Sequence, residues 1–212
     1  MERIEEGNLF MICAALNEAA CTELPEGYHL RTLREDELPL WMAFPFDAAR
    51  DADANRGFMQ RYFQDVYVER HDDFFERCMV VANGNDVPVA TLFHWRAYGN
   101  LTTLHWFKVN REIEGRGIGR ALLSAIMRSI PNDQYPVMLH THPGSCRAIK
   151  LYSDFGFALV VDPLLGEREN HLRDSLQYLK ENMPERDFRT LKMSRAPAWC
   201  LSAIASAQID EF

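Results

Sequence analysis

A chain of 212 residues, 47% hydrophobic and 25% charged, has the make-up of one ordinary globular domain with a short appendage. Its 31 acidic residues against 23 basic ones leave a net charge of −8, which argues against non-specific nucleic-acid binding, because that needs a basic face. Five scattered cysteines (Cys13, Cys21, Cys78, Cys146, Cys200) with no CxxC read as reduced cytoplasmic thiols rather than a disulfide frame or zinc site; no apolar run reaches the roughly 18 residues of a membrane span, and the acidic flank in "MERIEEGNLFMICAAL" does not suit a secretory signal.

Residues 1–26 read as an N-terminal extension closed by "LPEG". "YHLRTL" (28–33) is a short strand, and Thr32 with Glu35 suggests a capping box for a helix near "EDELPLW". A second helix is expected across "NRGFMQRYFQDVYVER". The period then changes. "CMVVANGNDVPVATLFHW" is two strand-like runs around Asn83-Gly84, and "LTTLHWFKV" (101–109) is a third, so residues 78–109 form an antiparallel meander. In "GIGRALLSAIMRSI" the residues Ile118, Leu122, Ala125, Ile126 and Ile130 make one apolar stripe of a helix stopped by Pro131. "YPVMLHTH" is another strand. "SCRAIKLYSDFGF" is a short helix with Ser145 as its cap, Ala148, Leu151, Tyr152 and Phe155 as its buried face, and Gly156 at its C-terminal end. "FALVV" follows as a strand, residues 164–182 as a helix, "FRTLKM" as a last strand, and residues 194–212 as a C-terminal helical segment around "APAWCLSAIASAQ". The order implies an α/β domain with a mixed central sheet: an antiparallel meander, then a parallel β-α-β crossover, flanked by helices.

The stretch "EGRGIGRALL" (114–123) follows a strand and opens a helix. That is where a glycine loop binds anions, because the first helical turn leaves amides unpaired and the dipole adds positive charge; Arg116 and Arg120 would add to it. It is neither GxxxxGK[ST] nor GxGxxG, so the common nucleotide loops are excluded. Alone, a structural turn explains it equally well.

"VNREIEGRGIGRALL" closely resembles motif A of the GNAT superfamily of acyl-CoA N-acetyltransferases, whose core is [QR]xxGx[GA]. About 26 residues downstream, "SCRAIKLYSDFGF" resembles that family's motif B, NxxAxxLYxxxGF, and "YHLRTLREDELPLW" looks like its opening strand and helix. The resemblance covers roughly residues 27–193. Glu114 stands where the family prefers Gln or Arg, Ser145 where Asn is usual, and Arg111 at a frequent Pro position.

The resemblance implies transfer of an acetyl group from acetyl-CoA, as co-substrate, to a primary amine by direct attack in a ternary complex. The pantetheine arm would lie along Phe107, Lys108 and Val109, the pyrophosphate on the amides of Gly115, Arg116, Gly117, Ile118, Gly119 and Arg120, with Ser145 nearby. Tyr152 matches the motif B tyrosine that serves as general acid. For the base, His105 is the first choice, on one face with Phe107 and Val109 by strand alternation; a structural histidine is nearly as good a reading. His140 and His142 share a face of the next strand, and His142 is a second candidate for base or relay. No third ligand stands beside them, so no metal is expected. Cys146 is read as an inert small residue. The acceptor, a small-molecule or peptide amine, would meet "WMAFPFDAARDADANRGF" and "ERHDDFFE", whose aromatics and acids suit a cation. No nucleic acid or membrane partner is expected, and a homodimer is left open. A competing reading is a GNAT-fold protein that binds CoA or a partner without transferring anything; a third is a longer acyl donor.

Overall fold

The computed structural model describes residues 3–212. Ten strands run in chain order: β1 Leu9–Cys13, β2 Tyr28–Thr32, β3 Met79–Asn83, β4 Pro88–Ala97, β5 Leu101–Val109, β6 Val137–Thr141, β7 Phe157–Val160, β8 Leu164–Leu165, β9 Arg168–Glu169 and β10 Met193–Ser194. The helices are α1 Leu38–Ala43, α2 Ala49–Val66, α3 His71–Arg77, α4 Ile118–Ser129, α5 Cys146–Asp154, α6 Leu172–Asn182, α7 Glu185–Phe188 and α8 Ala198–Ala205. No helix among these residues is long and apolar enough to cross a membrane.

Eight strands form one mixed sheet in the order β10-β7-β1-β6-β5-β4-β3-β2, while β8 and β9 pair as a separate hairpin. The meander β2-β3-β4-β5 is antiparallel, and α4 carries the chain from β5 to the parallel β6. β1 lies between β6 and β7 and is antiparallel to both. The segment expected to be an extension therefore supplies an interior strand. Its sequence "LFMIC" explains why: every residue is buried, Leu9, Met11 and Cys13 into the core under α4 and α5, Phe10 and Ile12 into the core on the other face. A strand covered on both faces is apolar throughout and shows no alternation.

The two faces have different character. Beneath α4, α5 and α6 the core is mainly aliphatic, with Leu122, Leu123, Ile126 and Leu139, and holds Tyr152, Phe155 and Phe157 at its α5 end. Under α1–α3 and α8 it is aromatic: Trp41, Phe63, Tyr67, Phe74, Phe93 and Trp95 pack edge to face or tilted at 5.0–6.5 Å. Such pairs add about 0.5–1.5 kcal/mol each beyond area burial.

Four local expectations are corrected. The capping box near α1 uses Arg34 and Glu37, whose carboxylate accepts the Arg34 amide at 3.0 Å, because the chain enters the helical turn two residues later than Thr32. Residues 164–169 form the β8–β9 hairpin, turned at Gly166 (φ 62°), so the helix begins only at Leu172. "FRTLKM" supplies only Met193 to a strand, Phe188 belonging to α7. The buried face of α5 is Ile149, Tyr152 and Phe155, with Ala148 and Leu151 only half-buried.

Candidate active site

β5 and β6 pair only at Thr102–Val137 and Thr103–Met138 and then part. Where they diverge, a cleft of about 1260 Å³ opens, lined by the end of β5, the loop before α4, the start of α5 and two residues of α6. Phe107, Lys108 and Val109 form its β5 wall, and Gly115, Gly117, Ile118, Gly119 and Arg120 its floor. Ser145, Cys146 and Arg147 close the α5 side, with Tyr178 and Asn182 opposite.

Two helix N-termini open into this cleft. Gly117 is the N-cap of α4 at φ 83°, a left-handed conformation that glycine adopts without steric cost, and no side chain caps the helix. The first intrahelical bond is from Ala121 N to Gly117 O at 3.0 Å, leaving the amides of Ile118, Gly119 and Arg120 without intrahelical acceptors. Gly119 is required for a different reason: a Cβ there would sit 3.2 Å from Phe107 Cζ and from Val109 Cγ2, pressing on the cleft wall. At α5 the expected Ser145 cap is not made. Ser145 is the N-cap residue, but its hydroxyl bonds no amide of the first turn and stays available to the cleft. Two uncapped helix N-termini facing one cavity favour an anionic ligand.

The basic side chains around the cleft are largely committed to carboxylates. Lys108 Nζ donates to Asp47 at 2.6 Å. Arg120 donates to Asp154 at 2.6 Å and to Ala20 O at 3.2 Å, so its charge is spent on packing α4 against α5 and the N-terminal segment. Arg147 donates to Glu114 at 2.9 Å. Arg116 is exposed and lies outside the cleft lining. Tyr178 and Asn182 escape the sequence, because nothing in their own neighbourhood marks them and only the tertiary fold brings them to the cleft; Asp47 and Arg147 lie in stretches singled out above but are not themselves expected there.

Tyr152 lies behind the β5 wall, its ring 5.8 Å from Phe107 and 5.7 Å from Phe157. Burial pushes its phenol well above the usual range, so it remains protonated. Among the described residues its hydroxyl has no hydrogen-bond partner; the residue is buried and, like His105, is not among those that line the cleft. Cys146 donates to Pro143 O at 3.3 Å, and burial raises its thiol, so helix-end activation is absent.

His105 departs from its expected position. Between Thr91–Lys108 and Phe93–His105 β5 spends one more residue than β4, a bulge at Trp106 with φ 55°. The extra residue reverses the alternation, so His105 and Trp106 face the aromatic core while Phe107 and Val109 face the other side. There His105 is 4% exposed, and burial lowers it to about 3. Its partners define a directed chain: Trp106 Nε1 donates to Tyr67 Oη at 3.0 Å, Tyr67 Oη lies 2.6 Å from His105 Nδ1, His105 Nε2 lies 2.7 Å from Thr103 Oγ1, and Thr103 donates to Trp95 O at 3.3 Å. With the final carbonyl accepting only, the protons order so that His105 accepts at Nδ1 and donates at Nε2. Both nitrogens are used, and His105 does not line the cleft.

His140 and His142 do share a face, with ring centroids 4.8 Å apart. His140 is half-buried, approaches Asn8 Oδ1 at 3.0 Å and is held well below its usual value, first by desolvation. His142 is exposed, and its Nδ1 lies 3.2 Å from Glu6 O and 3.3 Å from Gly7 O. Two carbonyl acceptors require the proton on Nδ1 in the neutral ring, which leaves the Nε2 lone pair free.

A mixed sheet whose two central parallel strands part beside an uncapped, glycine-rich helix start is the architecture of an acyl-CoA acetyltransferase fold. The sequence agrees: residues 33–157 match the model of the acetyltransferase (GNAT) family, and the chain belongs to that family. No curated protein sequence matches the chain. Among solved structures it is similar to a GCN5-related N-acetyltransferase from Sphaerobacter thermophilus, with 19% identity, a TM-score of 0.52, and 74% of this chain covering 49% of that one. A tandem GNAT protein from the clavulanic acid biosynthesis pathway gives 14%, 0.52, 73% and 50%, and a GNAT acetyltransferase from Colwellia psychrerythraea 15%, 0.52, 73% and 53%. The chain thus spans about half the length of these structures, and at such identities the likeness concerns the fold.

Proposed function

We propose that the chain is an N-acetyltransferase that moves an acetyl group from acetyl-CoA to a primary amine by direct attack. The observation that carries this reading is the parting of β5 and β6 directly beside two uncapped helix N-termini. The cleft suits the co-substrate in size and charge: the open edge at Phe107–Val109 takes the pantetheine arm, and the amides of Gly115 and of residues 117–120 take the pyrophosphate. A backbone N–H of this edge holds the carbonyl oxygen as charge develops on it.

The amine nitrogen attacks the thioester carbonyl, the C–S bond breaks, and amide and free CoA leave. Two proton transfers accompany this. Tyr152, kept protonated by burial, gives its proton to the departing sulfur. His142, with Nε2 free on the face opposite α4 and α5, takes the amine's proton directly or through water, the role His105 is too enclosed to fill. A protein of this composition is expected to work in the cytoplasm. The test is calorimetry with acetyl-CoA followed by thiol release on an amine panel. Micromolar binding with amine-dependent release is expected; no binding at millimolar acetyl-CoA removes the proposal.

A further inference from the structure

Within β5, Trp106 takes φ 55°, a left-handed backbone that a bulky residue rarely adopts. Thr91 pairs with Lys108 and Phe93 with His105, so Leu92 alone faces both Trp106 and Phe107. One hydroxyl grips this irregularity. Tyr67, the residue after α2, is fully buried; its Oη accepts the Trp106 indole N–H at 3.0 Å and donates to His105 Nδ1 at 2.6 Å. The Tyr67 ring is held in turn, 5.0 Å from Trp95 and 4.9 Å from Phe74, and the Trp106 ring lies 5.7 Å from Trp41 and 5.2 Å from Tyr62. The other end of the His105 ring donates to Thr103, which donates to the Trp95 carbonyl. Thr103 is also the last β5 residue to pair with β6, and Phe107 is the first to line the cleft. The clamp therefore runs from the last shared rung to the residue before the cleft wall.

A left-handed residue of this size persists only where its surroundings over-determine it. What the bulge decides is the facing of the cleft wall. Without the extra residue, alternation would exchange the faces of Phe107, Lys108 and Val109, sending Lys108 under α4 and away from Asp47. We infer that Tyr67 is a positioning residue for acetyl transfer: by pinning His105 and Trp106 it fixes the bulge, and through the bulge the aim of the Phe107–Val109 edge at the thioester. A phenol serving stability alone would need one partner anywhere in the aromatic core. Both partners of this one belong to the two consecutive residues that the bulge turns to the same face.

The inference rests on the acetyltransferase reading. Absence of acetyl-CoA binding or of turnover in the unaltered full chain defeats both, whereas the variants test the clamp alone. Tyr67→Phe deletes the hydroxyl and keeps the ring. The expected result is a fall in kcat of at least about tenfold, since a misplacement of about 1 Å at the reacting atoms costs on the order of a hundredfold. KM for the amine and the dissociation constant of CoA should change less than about threefold. A role in stability alone would lower the melting temperature and leave kcat of the folded protein intact. Trp106→Gly supplies the cross-check, because glycine takes this backbone without a clamp. In that background Tyr67→Phe should change kcat less than about threefold. If Tyr67→Phe does not fold, Trp106→Phe removes the donor of the same hydrogen bond and carries the same expectation of an about tenfold fall. A kcat within about threefold of the unaltered protein, or an equal fall from Tyr67→Phe in both backgrounds, overturns the inference while leaving acetyl-CoA binding and transfer standing.

Discussion

Glu114 and Arg147 face each other across the mouth of the cleft, the carboxylate on the loop before α4 and the guanidinium on the first turn of α5, 2.9 Å apart. Arg147 is 90% exposed, so the pair contributes little to stability. Its effect is on the ligand: a phosphate entering between the two helix ends must compete with Glu114 for Arg147. Glu114→Gln is therefore expected to tighten acetyl-CoA binding by about threefold to tenfold, the equivalent of roughly 0.7–1.4 kcal/mol, and Arg147→Ala to weaken it, both most clearly at low salt. Calorimetry at two ionic strengths measures this. Unchanged affinity in both variants would leave the pair outside the phosphate site.

Tyr152→Phe removes one hydroxyl with no partner in the protein and keeps the ring between Phe107 and Phe157. The expected outcome is at least a tenfold fall in kcat with acetyl-CoA affinity and melting temperature unchanged, because the oxygen acts only when sulfur leaves. Steady-state kinetics beside a binding isotherm separate these quantities, and a wild-type kcat would remove Tyr152 from the reaction.

The two histidines give opposite expectations. His142→Gln should lower turnover across the pH–rate profile, with partial recovery at high pH as the amine loses its proton unaided. His105→Asn should leave the shape of that profile unchanged, because the ring it replaces has both nitrogens bonded inside the protein. If His105→Asn alone altered the profile, the assignment would be reversed.

How far the sequence carries depends on whether a feature is local. The glycine loop and α5 are each consecutive runs, so their identity as elements and their order are readable, and both come to one cleft. The alternation of β5 fails because a bulge is set by pairing with β4, not by the residues of β5; "LHWFKV" gives no sign that Trp106 takes φ 55°. β1 is missed for a related reason. Five apolar residues after an acidic start have no period, and their place between β6 and β7 depends on strands more than 120 residues away. The clamp on the bulge brings Tyr67, at the end of α2, to His105 and Trp106, a meeting that no motif spacing encodes.

That position of β1 leads to a fourth expectation. Residues 1–13 cannot be trimmed as a tail, since β1 alone joins β7 and β10 to the rest of the sheet. Met11 is fully buried, with Leu139 and Leu159 as its register partners. Met11→Ala should cost about 2–5 kcal/mol, the usual range for truncating a buried side chain of this size, and deletion of residues 1–13 should give insoluble or unfolded protein. Urea unfolding followed by circular dichroism decides it. A deletion that melts like the full chain would show β1 to be dispensable.

Acid should destabilise the fold through two desolvated histidines, one buried and one half-buried. His105 is lowered from 6.5 to about 3 and His94 to about 4, both first by desolvation. At His94 the Arg77 guanidinium donates to Nε2 at 2.8 Å, which the charged ring could not accept. A lowered value in the folded state means that, between 6.5 and the folded value, the unfolded chain holds protons that the folded chain excludes. The stability these rings confer is therefore full above pH 6.5 and drains away as pH falls below it. At pH 5 the fully enclosed His105 alone accounts for about 2 kcal/mol of loss relative to pH 7 or above. Melting temperature should fall from pH 7.5 to pH 5, and less steeply in His105→Asn, which starts lower but has one fewer proton to take up on unfolding. Parallel slopes for the two proteins across that range would mean that His105 is not the proton acceptor concerned.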